Sequence, residues 1–286
     1  MPDTTLIAAL PRSGSTLLCT LLSKAPNTLA LAEPMRTQRF PDPEAAWAQI
    51  DRIVPVFREQ ILTEKRAPMR TSGGKPTDNF MKAPTAGGGP RPSEARLQLV
   101  EVTQDLSPDF TLYLKHPTLF TALIPTSADR PYRMVGLVRA PLAVLASWET
   151  VMLSVRDGRA TAAEKLHPDL KSYLDDAPSR YGRQARLMEW FLQRMAQLPR
   201  PSVIRYEDLI ARPQETLEQW QPGAAFDIQP LRHSTIQDRY PGLDLRPAAK
   251  RLRRIAPDIE VFYPGYSRVI EAALDGVEID PMALAA

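Results

Sequence analysis

The apolar positions of the chain fall into short runs separated by helical stretches. Leu6 to Leu10 is a continuous apolar run that reads as a buried strand, and Leu17, Leu18, Leu21 and Leu22 then recur at helical spacing. Thr28 to Glu33, TLALAE, predicts a second strand closed by Pro34. Ala45 to Leu62 predicts a helix with Trp47, Ile50, Ile53, Val54, Phe57 and Ile61 on its apolar face, kinked or broken at Pro55. Further on, Phe110 to Lys115 and Tyr132 to Val138 read as strands, and Pro141 to Met152 reads as a helix with proline in its first turn. Tyr181 to Leu198 is a long amphipathic helix, Ser202 to Tyr206 a last strand, and Lys250 to Arg254 a basic helical piece.

One stretch lacks this periodicity. Residues 67–92 are rich in glycine and proline, carry Lys75 and Lys82, and predict a long surface loop or lid, followed by a helix over Glu94 to Leu106. Elsewhere strands alternate with helices. The fold class expected is therefore α/β, a central and mainly parallel sheet flanked by helices in one domain spanning 1–286. In such sheets ligands bind beyond the carboxyl ends of the strands. The candidates for chemistry are then Pro11 to Thr16, Glu33, Lys115, His116, Arg139 and Tyr206.

Composition narrows the partners. The chain has 286 residues, 43% hydrophobic and 24% charged, which suits a globular protein with a core of its own. Its single cysteine, Cys19, excludes an internal disulfide framework and lies among leucines as a small core residue. The opening MPDTT lacks the positive charge of a secretory signal, and no stretch reaches the roughly 20 apolar residues of a membrane span, so a cytoplasmic location is expected. A net charge of +3 suits an anionic ligand without pointing to nucleic acid. Oligomeric state leaves no trace in this pattern.

The anion-binding candidate is the turn PRSGST at Pro11 to Thr16. It joins a strand to a helix whose first N–H groups are unpaired and whose dipole favours negative charge. Gly14 permits close approach of the backbone, Ser13, Ser15 and Thr16 supply hydroxyls, and Arg12 offers a planar fork for phosphate or sulfate oxygens. The lysine that a nucleoside triphosphatase loop places before its Ser/Thr is missing. A second candidate lies in MVGLVRAPLAVLASWE, where Arg139 follows a strand and Ser147 stands two helical turns on.

Together PRSGSTLL and VRAPLAVLAS resemble the sulfotransferases that use 3′-phosphoadenosine 5′-phosphosulfate (PAPS), with VIRYEDLIARPQETL a looser match. The branch with tyrosylprotein sulfotransferases and related bacterial enzymes is the most similar, through PRSG[ST]T, Glu33 in LALAEPMR and Lys115 in YLKHP. The resemblance implies a P-loop-like nucleotide-binding fold. It implies that Arg12 and Lys115 meet the transferring sulfuryl group and that Ser13, Gly14, Ser15 and Thr16 hold the 5′-phosphate. Arg139 and Ser147 would hold the 3′-phosphate, Tyr206 would sit near the nucleotide, and Ser234 in RHSTIQDRY would reach the bridging oxygen. The product would be adenosine 3′,5′-bisphosphate, the acceptor a hydroxyl of a small molecule, sugar, lipid or peptide, and no metal is expected.

The general base has two candidates. Side chains alternate faces along a strand, so adjacent Lys115 and His116 should diverge, which favours Glu33 over His116; Pro117 could twist that local geometry. His167 and His233 read as structural. Two rival functions share the fold: a P-loop-type kinase, which would need the missing lysine and an acid for magnesium, and a non-catalytic nucleotide-binding module.

Overall fold

The computed structural model describes residues 3–37, 40–83, 89–232, 234–277 and 280. Five parallel strands form the main sheet: β1 (Thr4–Ala9), β2 (Thr28–Ala32), β5 (Thr111–Lys115), β6 (Arg133–Val138) and β7 (Val203–Arg205), in the spatial order β2-β5-β1-β6-β7. β1 lies at the centre, with Ile7 beside Lys115 on one side and Ala9 beside Leu137 on the other. Helices α1 (Ser15–Leu22), α3 (Pro117–Leu123) and α4 (Pro141–Glu149) leave from the carboxyl ends of β1, β5 and β6. The order reverses at β1, so a crevice opens beyond its carboxyl end.

Every residue of β1 is buried, as a strand covered on both faces requires. Its side chains alternate between two cores. Leu6 and Ala8 point into the larger one with Leu112, Leu114 and Met134, while Ile7 and Ala9 join Tyr113, Val135 and Leu137 in the smaller. The larger core is walled by α2 (Pro43–Glu64), by α3 and α4, and by α7 (Arg180–Met195). The smaller is closed by α1, α8 (Tyr206–Ala211) and α9 (Pro213–Glu218). Two short helices, α5 (Thr161–Leu166) and α6 (Pro168–Asp175), precede α7. The C-terminal helices are α10 (Ile236–Arg239), α11 (Arg246–Leu252), α12 (Ala256–Glu260) and α13 (Tyr266–Leu274), of which α11 and α12 pack on α7 and α13.

Three expectations are corrected. Pro55 does not break α2, which runs for 22 residues from its Asp42 cap. Pro55 is on the exposed face, where a freed carbonyl can turn to solvent, while Trp47, Ile50, Val54 and Ile61 hold the other face to the core. The predicted loop at 67–92 begins as a strand, β3 (Arg66–Thr71), and the predicted helix at Glu94 to Leu106 is instead strand β4 (Arg96–Glu101). These two form a separate antiparallel ribbon that pairs Arg70 with Leu97 and Pro68 with Leu99. Leu97, Leu99, Val100 and Val102 satisfy helical and strand spacing equally; pairing with β3 decides between them. The stretch between the strands is tied back by bridges from Met81 to Ser93 and from Arg91 to Val151, and its residues 84–88 lie outside the described set. Among the described residues no helix is long and apolar enough to cross a membrane.

Candidate active site

The turn between β1 and α1 is held in an uncommon shape. Arg12 and Gly14 both adopt left-handed dihedrals, with φ of 72° and 94°. Ser13 N–H donates to Leu10 O at 3.1 Å, and Trp148 Nε1 donates to Pro11 O at 2.8 Å, so the turn is anchored from both sides. A Cβ on Gly14 would stand 2.5 Å from the ring of Tyr206. Only glycine allows both that dihedral and that contact. α1 starts at the next residue, so its free N–H groups face the same crevice.

Around this turn the structure gathers most of the residues singled out in the sequence. Pro11, Arg12, Gly14, Ser15, Thr16, Glu33, Lys115, His116, Arg139 and Tyr206 line one cavity of about 560 Å³. Arg12 Nε donates to Ser147 Oγ at 3.2 Å, joining the first loop to α4 across 135 positions. Arg139 Nη1 donates to Arg12 O at 3.2 Å, and the Arg139 guanidinium lies 4.5 Å from the centre of the Tyr206 ring. The two arginines therefore open onto the same space. Burial pulls the Arg12 guanidinium down to about 10, still well above neutral pH.

Lys115 is only 1% exposed, and its Nζ donates to Glu33 Oε1 at 2.9 Å and to Thr16 Oγ1 at 3.3 Å. Glu33 itself follows β2 with φ 51°, a left-handed conformation for a non-glycine residue, secured by its N–H donating to Lys115 O at 2.7 Å. Its second oxygen, Oε2, lies 3.0 Å from Arg70 Nε in an ion pair without hydrogen-bond geometry. Burial works to raise the Glu33 carboxyl, but the charge and the hydrogen bond of Lys115, with a smaller pull from the charge of Arg70, outweigh it and hold it at about 2.

His116 occupies the same wall in a different chemical state. Its Nε2 accepts the Met35 N–H at 3.1 Å, which places the ring proton on Nδ1, and its ring meets Phe120 edge-on. Burial presses the imidazole down to about 3, so it is neutral. The lone pair that a base would use is already engaged.

The loop and its partners retain unused polar atoms. Ser13 Oγ and Arg139 Nε are buried without a hydrogen-bond partner. Buried donors of this kind are costly unless satisfied. With the α1 N–H groups and the Arg12 fork beside it, Arg139 fits an anionic phosphoester. Ser13 and Ser147 lie behind the cavity surface and not on it. Ser234 is partly buried and does not line the cavity; the same segment brings Arg239 and Tyr240 there instead. His167 Nε2 bonds to Ala122 O at 2.8 Å away from the cavity lining, and His233 lies outside the described residues. Cys19 is buried and its thiol is pushed up to about 12 by burial, as suits packing. Among the described residues no group of three or more His, Cys, Asp or Glu could hold a metal ion.

Sequence reasoning missed Arg70, Asn79, Phe80, Arg239 and Tyr240, all of which line the cavity. Asn79 Oδ1 accepts from Arg12 Nη2 at 3.2 Å, and the Phe80 ring lies 5.3 Å from Lys115 Nζ. No local motif marks Arg70, Asn79 and Phe80, which arrive through the ribbon and the segment it carries; Arg239 and Tyr240 arrive at the end of α10.

Residues 2–222 match the model of the sulfotransferase domain family. Among solved structures the chain is similar to the sulfotransferase domain from the curacin biosynthetic pathway, at 17% identity over 82% of this chain and 79% of that one, with a TM-score of 0.39. It is also similar to sulfotransferase STF1 from Mycobacterium tuberculosis H37Rv, at 14% identity over 97% of this chain and 77% of that one, with a TM-score of 0.34. No curated protein matches the chain.

Proposed function

The chain belongs to the sulfotransferase family, and on that premise we propose that it moves the sulfuryl group of PAPS to the hydroxyl of an acceptor, with Glu33 as general base. The observation that carries this reading is the convergence of Arg12, Lys115, Glu33 and Arg139 on one cavity at the carboxyl ends of β1, β2, β5 and β6. Three cations and a helix N-terminus suit a donor with two phosphate groups and a sulfuryl group. Arg139 Nε, buried and unpaired in the cavity wall, would find an acceptor there.

The donor supplies an activated sulfur whose leaving group is a phosphate. Arg12 and Lys115 flank the turn where the 5′ end would sit, and they oppose the negative charge that grows on sulfuryl and leaving-group oxygens. Arg139, backed by Tyr206, holds the 3′-phosphate, and Ser147 orients Arg12. Glu33 takes the acceptor proton as the acceptor oxygen forms its bond to sulfur. The bond from sulfur to the donor phosphate oxygen breaks, and its electron pair stays on that phosphate. At about 2, Glu33 is a weak base while Lys115 and Arg70 both hold it. Drawing Lys115 toward the sulfuryl oxygens frees Oε1 and strengthens the base. His116 stays a neutral acceptor for Met35 N–H and supports the wall beside Glu33.

The acceptor we infer is a free-standing hydroxyl compound. Leu119, Leu153, Val155, Ala160 and Ala162 also line the cavity, which suits an apolar body on the acceptor.

Two measurements test the reading. Calorimetry should show binding of adenosine 3′,5′-bisphosphate, and labelled sulfate should pass from PAPS to a member of a hydroxyl-acceptor panel. Arg12→Ala should lower transfer by about 10²–10³-fold, the size expected for removing one donor to developing charge. Glu33→Gln should abolish most transfer while nucleotide binding persists. A wild-type protein with no affinity for the bisphosphate would end the proposal.

A further inference from the structure

We propose that Arg70 is a positioning residue for Glu33: it fixes the carboxylate through Oε2 and helps set how tightly that group holds a proton, beside Lys115 in the donor-free site and alone once Lys115 turns to the donor. The inference rests on the reading of Glu33 as base. Arg70 is not part of the Pro11–Thr16 turn, the stretch from Arg139 to Ser147 or any stretch with a motif. It comes from β3, in register with Leu97 of β4, and so reaches the site from the ribbon and not from the main sheet.

Each oxygen of Glu33 has its own cation. Lys115 Nζ is 2.9 Å from Oε1, and Arg70 Nε is 3.0 Å from Oε2. The two cations differ in setting. Lys115 is 1% exposed, held between Glu33 and Thr16 at the end of a buried strand, where the donor would be met. The Arg70 side chain is 33% exposed, lines the same cavity and meets the other oxygen of the carboxylate. When Lys115 is engaged elsewhere, Arg70 is the cation left on Glu33.

Other groups facing Glu33 cannot substitute. His116 from the end of β5 is buried and neutral, its Nε2 taken by Met35 N–H. Arg12 from the β1–α1 turn is committed to Ser147 and Asn79. Cys19 on α1 is an uncharged thiol. With Oε1 on Lys115 and Oε2 on Arg70, the carboxylate is gripped at both oxygens, so its orientation depends on both cations.

The test follows one carboxyl. Protein labelled with ¹³C at the glutamate carboxyls is titrated by NMR, and the Glu33 signal is assigned by its loss in Glu33→Gln. In the wild type the Glu33 signal should stay at its ionised position down to the pH at which the protein unfolds. In Arg70→Gln it should titrate at a midpoint about one to three units higher, the usual effect of one opposite charge at this range. Arg70→Lys, which keeps a charge, should restore most of the wild-type behaviour, which a merely structural role would not require. In the transfer assay the acidic limb of the pH–rate profile should move upward in Arg70→Gln by a similar amount. Superimposable Glu33 titrations in wild type and Arg70→Gln would overturn the proposal. Because the titration needs no acceptor and no donor, it stands or falls independently of whether the chain transfers sulfate.

Discussion

The main sheet and the β3–β4 ribbon meet at the same cavity but are built in opposite ways. The sheet is sealed between two cores, and its contribution to the site comes from turns fixed at several points: Ser13 on Leu10, Trp148 on Pro11, Arg139 on Arg12. The ribbon has little burial on β4, and Leu99 is 49% exposed. Yet the ribbon and the segment it carries reach three of the charged residues of the site, through Arg70 on Glu33, Asn79 on Arg12 and Phe80 beside Lys115. Groups that must be held in one geometry sit on the sheet, where packing enforces it. Groups that adjust those charges sit on an element that is anchored in the larger core by Ala67 and Met69 on β3 and is largely exposed along β4.

That contrast can be broken. The largest effect is expected at Glu207 on α8, which accepts from Ala140 N–H at 3.0 Å and from Tyr263 O–H at 2.7 Å in a buried site. Its neighbour Tyr206 packs on Gly14 and Arg139, so these two adjacent residues link the C-terminal helices to the turn that carries Arg139. Glu207→Ala leaves two buried donors unpaired and should cost about 3 kcal/mol in a urea denaturation series. It should also weaken adenosine 3′,5′-bisphosphate binding. A loss below about 0.5 kcal/mol would mean that the sheet-side turns are not held as described.

A smaller effect belongs to His116. Its folded-state proton affinity is lowered to about 3, whereas an unfolded histidine titrates near 6.5, so the unfolded chain binds the extra proton between those values. The stability this group contributes is therefore present above about pH 6.5 and lost as pH falls toward 3, at up to about 1.4 kcal/mol per unit. Thermal melts across that range should slope more steeply in the wild type than in His116→Gln, and equal slopes would refute the assignment. The smallest effect is expected on the ribbon. Leu99→Ser, at a half-exposed position, should change stability by no more than about 0.5 kcal/mol. A loss of several kcal/mol there would show that β4 packs into the core as β3 does and would erase the difference between the two regions.

The legibility of the sequence follows the same division. The strands of the sheet stood out because continuous burial on two faces leaves an apolar run bounded by proline or a charged residue, as at Leu6 to Leu10 and in Thr28 to Ala32. The turn at Pro11 to Thr16 was readable for a local reason too: its glycine, hydroxyls and arginine are adjacent in the chain. β4 was misread because its partner lies 25 to 35 positions away and its own apolar spacing fits either period.

What the amino-acid order determined by itself was the alternation of strand and helix, the anion-cradling turn, and the residue types placed at strand ends. Those are consequences of neighbours within a few positions. What only the tertiary structure decided was which charges meet: Ser147 behind Arg12, Arg70 on the second oxygen of Glu33, Met35 N–H on the His116 nitrogen, and Arg239 in place of Ser234 at the cavity wall. The physical reason is that ionisation and hydrogen bonding depend on distances of a few ångströms between groups separated by tens of residues, and those distances are set only when the sheet, the ribbon and the C-terminal helices pack together.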